Sequence, residues 1–139
     1  MIKAGRQAIT SDWWLLSKNK YDVYISALVE EEISAGDPIA AAKRLEAVVD
    51  IPSIVITSEA QILANLLVAT RLVPDNSVRD ALHIAIAATQ GIDYLLTWNF
   101  KHINNAETKL LIARNIENDG WTCPTLCSPE ELGATDYDE

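Results

Sequence analysis

The chain has 139 residues, 49% of them hydrophobic, and a formal charge of −9 at pH 7. That length suits one domain with a single core. No apolar run reaches the roughly 18 to 20 residues of a membrane span. The acidic balance argues against broad, sequence-independent nucleic-acid binding.

The opening Met1-Ile2-Lys3-Ala4-Gly5-Arg6 lacks the apolar core of a secretory signal, which predicts a cytoplasmic protein. The charge is unevenly spread. From Ser128 onward there are five acids (Glu130, Glu131, Asp136, Asp138, Glu139) and no Lys or Arg, leaving fifteen acids against eleven bases in residues 1–127. The chain therefore divides into a domain over 1–127 and an acidic tail over 128–139. A tail of this kind reads as a solvated end or as a contact for a basic partner.

In chain order, residues 3–17 read as a helix with Ala4, Ala8, Trp14 and Leu15 among its apolar positions. Asp22-Val23-Tyr24-Ile25-Ser26 reads as a strand, followed at once by a helix over 27–34. Gly36-Asp37-Pro38 breaks and restarts a helix, with Asp37 as N-cap and Pro38 at the first helical position. Its apolar face is Ala41, Leu45 and Val48 or Val49. Ser53-Ile54-Val55-Ile56-Thr57 is a second strand. It passes into a helix through Ser58, with Gln61 as the capping-box partner three residues on. That helix runs to about Arg71, with Pro74 beyond its end.

Ser77 is placed to cap the next helix, which carries Asp80 and His83 and stops at Gly91. A strand over 93–97 follows, then a helix from about 105 to 118 ended by Gly120. A short extended piece over 121–126 closes the domain. Strands that are continuous apolar runs and alternate with helices predict an α/β fold, a parallel sheet with helices on both faces. In such folds ligands bind at the carboxyl ends of strands. No Gly-rich phosphate loop follows either early strand, so a small-molecule binder of the flavodoxin type has no support.

Three polar positions converge on that edge. Asp80 opens a helix that is apolar nearly all round, and Asn99 lies just past strand 93–97. Glu32 stands four residues from Leu28, on the side of that core-facing residue. Hard divalent cations take oxygen ligands, commonly one or two carboxylates plus waters and substrate phosphates. The plainer readings stand beside this one. Asp80 also suits a helix first turn electrostatically, Asn99 also suits a turn, and acid clusters usually form solvated faces. His83 reads as a hydrogen-bonded histidine at the core edge. Trp98 and Phe100 read as packing groups, with base stacking as their other use. Arg79, Lys101 and His102 are the bases flanking this stretch. Cys123 and Cys127 read as reduced, partly buried thiols, since no histidine has the spacing to complete a zinc site with them.

Taken together, "SALVEEEI", "RDALHIAIAATQGIDYLLTWNFKHI" and "CSPEEL" resemble a PIN domain of the VapC toxin type, and "QAITSDWW" fits one branch of that family. The middle motif is the most specific: an Asp opening an alanine-rich helix, Gly-Ile-Asp, a strand, then Thr-x-Asn. The resemblance implies a three-layer sheet and a Mg²⁺- or Mn²⁺-dependent ribonuclease. It also implies a toxin neutralised by a cognate antitoxin, and a homodimer. It makes Glu32, Asp80 and Asn99 the metal-binding positions, with Asn99 where many members have an Asp. Thr97, two residues earlier, would orient a ligand or water. The family's usual first strand and its Asp have no counterpart here, since no residue before Asp12 is acidic. A PIN-like interaction module that dimerises or binds an antitoxin without cleaving RNA is therefore the alternative expectation.

Overall fold

The computed structural model describes residues 20–73, 77–96 and 106–127. The helix expected over 3–17, Pro74, Thr97, Asn99, Lys101, His102 and the acidic tail over 128–139 lie outside the described residues. Among those described, the order is β1 (Ile25–Ser26), α1 (Ala27–Ile33), α2 (Pro38–Ala47), β2 (Ser53–Ile54), α3 (Ser58–Ala69), α4 (Val78–Thr89), β3 (Tyr94–Leu96), α5 (Ala106–Asn118) and β4 (Thr125–Cys127). The fold is mixed α/β, and none of its described helices is long and apolar enough to cross a membrane.

The strands are parallel, and they form two pairs. β1 lies on β2 with Ile25 opposite Ser53, and β3 lies on β4 with Leu95 opposite Leu126. The strand expected over 22–26 is thus two residues long, as is the one expected over 53–57. The last extended piece pairs over Thr125–Cys127 rather than from Trp121. These pairs are not continuously buried either. Val55 is 67% exposed and Tyr94 47%. The rings of Tyr21 and Tyr94 meet edge to face at 6.2 Å between centroids, which brings the approach to β1 beside the start of β3.

The core sits where α3 and α4 pack together. Leu63 and Leu67 of α3 and Ala81, Ile84 and Ala85 of α4 are fully or almost fully buried. Ile112 and Ile116 of α5, Leu126 of β4 and Leu28 of α1 join the same cluster. Burying one such leucine or isoleucine contributes roughly 1.5 to 3 kcal/mol, so these two helices supply much of the driving force. The run of small residues in α4 (Ala81, Ala85, Ala87, Ala88) lets neighbours approach on several sides, and all four are buried.

Helix α2 differs from its expectation. Asp37 caps it as read, its carboxylate accepting from the Ala40 amide at 3.0 Å, with Pro38 in the first turn. Yet only Ala41 of its apolar face is buried, while Leu45 is exposed and Val49 is 73% exposed. Its packing contacts run to α1. Periodicity fixes which residues share a face, and here that face meets little of the core.

Two caps are also corrected. Thr57, in extended backbone, caps α3 by accepting from the Ala60 amide at 3.1 Å. Ser58 is already helical and turns its hydroxyl toward Glu59. Ser77 occupies the N-cap of α4, but its side chain makes no capping bond there and is buried. At the other end Gly91, with φ +71°, allows the Ile92 amide to reach back to the Ala87 carbonyl at 2.9 Å. Arg71 does the same for α3 at φ +62°, with Leu72 bonded to Leu67.

Candidate functional site

Helix α1 begins where β1 stops. Ser26 caps it by accepting from the Val29 amide at 3.1 Å, and Leu28 goes into the core at 3% exposure. One turn on, Glu32 leaves the same side of the helix, at the rim of that core. It meets α4. His83 Nε2 lies 2.9 Å from Glu32 Oε1, and a carboxylate accepts there only if the ring proton is on Nε2. Arg79 Nη1 donates to Glu32 Oε2 at 3.3 Å, and its Nη2 donates to Glu31 Oε1 at 3.1 Å.

Arg79 and His83 are four residues apart, so they share one face of α4. Asp80 lies between them in sequence, in the helix's first turn, and is half-buried. Contacts across about fifty residues of sequence therefore draw Glu32 to the turn that carries Asp80. Thr97 and Asn99 lie outside the described residues; β3 itself packs against α4.

The four side chains of this cluster differ in accessibility. The side chains of His83 and Glu32 are 20% and 36% exposed, against 56% for Arg79 and 64% for Glu31. The Glu32–His83 contact is thus the sheltered part, and the guanidinium lies across the open side. The hydrogen bond with Glu31, reinforced by that charge and by Glu32, raises the pKa of Arg79 above its ordinary value despite some desolvation. At every accessible pH it is a cation.

Among the described residues, no three acids, histidines or cysteines gather closely enough to enclose a cation. The donors suited to a hard cation are the oxygens of Glu32 and Asp80. Two carboxylates match the open type of Mg²⁺ site, in which waters and a substrate phosphate complete the octahedron. Both oxygens of Glu32 are engaged by groups of α4, so a cation arriving there shares or replaces one of those contacts.

The sequence marked Glu32, Asp80, Arg79 and His83 separately. It did not mark Glu31, which the guanidinium joins to the cluster, nor the pairing of Arg79 and His83 with α1. The available signal was the four-residue spacing of Arg79 and His83. At a second position, both cysteines are reduced, with Cys127 buried and Cys123 half-buried. Burial, aided by the charge of Glu117, pushes the Cys123 thiol up to about 11. It donates to the Pro124 carbonyl at 3.3 Å.

In comparisons with protein-family models, curated proteins and solved structures, nothing matches this chain.

Proposed function

We propose that this chain is a PIN-type, VapC-like endoribonuclease that depends on Mg²⁺ or Mn²⁺ and serves as the toxin of a toxin–antitoxin pair. The observation that carries this reading is the seating of Glu32 against the first turns of α4, through His83 and Arg79. It supports a two-carboxylate site built from Glu32 and Asp80, to which the family resemblance adds Asn99 and Thr97. In this reading the two parallel strand pairs are parts of one three-layer sheet. The active unit is a cytoplasmic homodimer held in check by a cognate antitoxin.

Bound Mg²⁺ or Mn²⁺ supplies an activated water and charge stabilisation at the scissile phosphate. The protein's own contribution is positional. Glu32 and Asp80 come from helices far apart in sequence, and His83 holds the Glu32 carboxylate at a fixed angle. The second reading is a non-catalytic module that dimerises or binds an antitoxin.

Cleavage of single-stranded RNA by the 139-residue chain in Mn²⁺ separates the two. The ribonuclease reading predicts cleavage that EDTA stops and that both Asp80→Asn and Glu32→Gln reduce by a hundredfold or more, on the order expected for loss of a metal ligand or its support. Partner binding that survives chelation, with no cleavage by the wild type, establishes the binding module instead.

A further inference from the structure

The Glu31–Glu32 pair already holds a cation of the protein's own, and it holds it loosely. Charge-assisted N–H···O bonds usually measure about 2.7–2.9 Å. His83 to Glu32 falls at that value, 2.9 Å, while the two Arg79 contacts stretch to 3.1 and 3.3 Å. The side chain of His83 is only 20% exposed, and that of Arg79 is 56% exposed. A long, solvated side chain with elongated bonds gives up its partner at little cost. A sheltered ring with a short bond does not. The two α4 groups on Glu32 thus have different duties.

We propose that Arg79 is a displaceable counter-cation of Glu32, occupying the divalent-cation position in the metal-free protein and competing with the metal for the carboxylate. The inference rests on the reading of Glu32 and Asp80 as cation ligands. His83 keeps the Glu32 carboxylate aimed at α4 whichever cation is present. Arg79 keeps Glu31 and Glu32, two adjacent like charges, from repelling each other when no metal is bound. When Glu32 Oε2 is given over to a divalent ion, the guanidinium stays with Glu31 or swings into solvent. The arrangement sets a threshold, because the ion must outcompete a tethered guanidinium before the site fills.

The sign of the effect makes the test decisive. A residue that merely supports Glu32 weakens metal binding when it is removed, whereas a competitor strengthens it. Mn²⁺ affinity of the full chain is read from the signal of the free ion by electron paramagnetic resonance. The wild type is compared with R79Q, R79K and D80N, each checked by its melting temperature. The proposal predicts that R79Q binds Mn²⁺ roughly two- to five-fold more tightly, the size of one exposed ion pair. R79K, which keeps the charge, stays near wild type. In the wild type, Mg²⁺ titration moves the Arg79 side-chain Nε–Hε resonance, a readout that requires no variant to fold.

Equal or weaker binding by R79Q overturns the proposal, as does a Mg²⁺ titration that leaves the Arg79 resonance in place. If the wild type meanwhile binds Mn²⁺ and D80N does not, the ribonuclease reading survives that loss. If neither the wild type nor R79Q binds Mn²⁺, both the proposal and the metal-dependent reading fail.

Discussion

At the scale of single residues, the half-buried Cys123 thiol gives a sharp pH expectation. Its pKa rises from 9.0 to about 11, chiefly because burial penalises the thiolate. The neutral thiol is therefore the form the fold accommodates. Its contribution to stability is fully present below pH 9 and is lost as pH rises from there through about 11. Urea midpoints measured from pH 8 to 11 should fall in the wild type and fall less in Cys123→Ala. Thiol titration with a disulfide reagent at pH 7.5 should find Cys123 slower than a free cysteine. Arg71 gives a second expectation. It holds φ +62°, where a side chain is strained and glycine is not. Arg71→Gly should stabilise the protein by roughly 0.5 to 1 kcal/mol in urea unfolding, unless the greater freedom of the unfolded glycine cancels the gain. At this scale the four-residue spacing of Leu28 and Glu32 placed that acid on the core-facing side of α1, where it meets both Arg79 and His83. Glu31 stayed invisible, because its role depends on a guanidinium that only the folded chain brings near.

Among the described elements, helices were legible, and strands were legible in place but not in length. Asp37-Pro38, Gly91 and Gly120 punctuate the chain locally, and α2, α4 and α5 stop or start at them as read. Strand length depends on how far a partner runs alongside. The five-residue strands expected over 22–26 and 53–57 contain only a two-residue ladder each. The capping of α3 gives a direct check on this local reading. Thr57→Ala should cost about 1 kcal/mol because the Ala60 amide loses its acceptor. Ser58→Ala should change stability by less than roughly 0.5 kcal/mol. The α3–α4 interface should be far less tolerant. Leu67 is wholly buried between them, and Leu67→Ala should cost about 2 to 5 kcal/mol in the same measurement.

For the molecule as a whole, the open question is what meets the apolar surface of its first half. Ile39, Val49, Val55 and Ile62 are each about two-thirds or more exposed, and α2 buries only Ala41 of its ten residues. A helix with so little tertiary packing gains stability from a partner. A homodimer, part of the proposed function, is the expected answer. Light scattering on the eluted protein should give twice the chain mass, and Ile39→Lys should shift it toward the monomer. A monodisperse wild-type monomer would remove the dimer from the account. The parallel, helix-alternating class was readable at this scale from the alternation of strand and helix signals along the chain. The division into two strand pairs was not, since it depends on contacts between distant segments that no local pattern encodes.

Mn²⁺ broadening of amide resonances locates directly the divalent cation proposed for Glu32 and Asp80. With substoichiometric Mn²⁺, residues 31–32 and 79–83 should broaden first, and Asp80→Asn should abolish the effect there. Broadening confined to the acidic residues of 128–139, or spread evenly over the surface, would contradict the site.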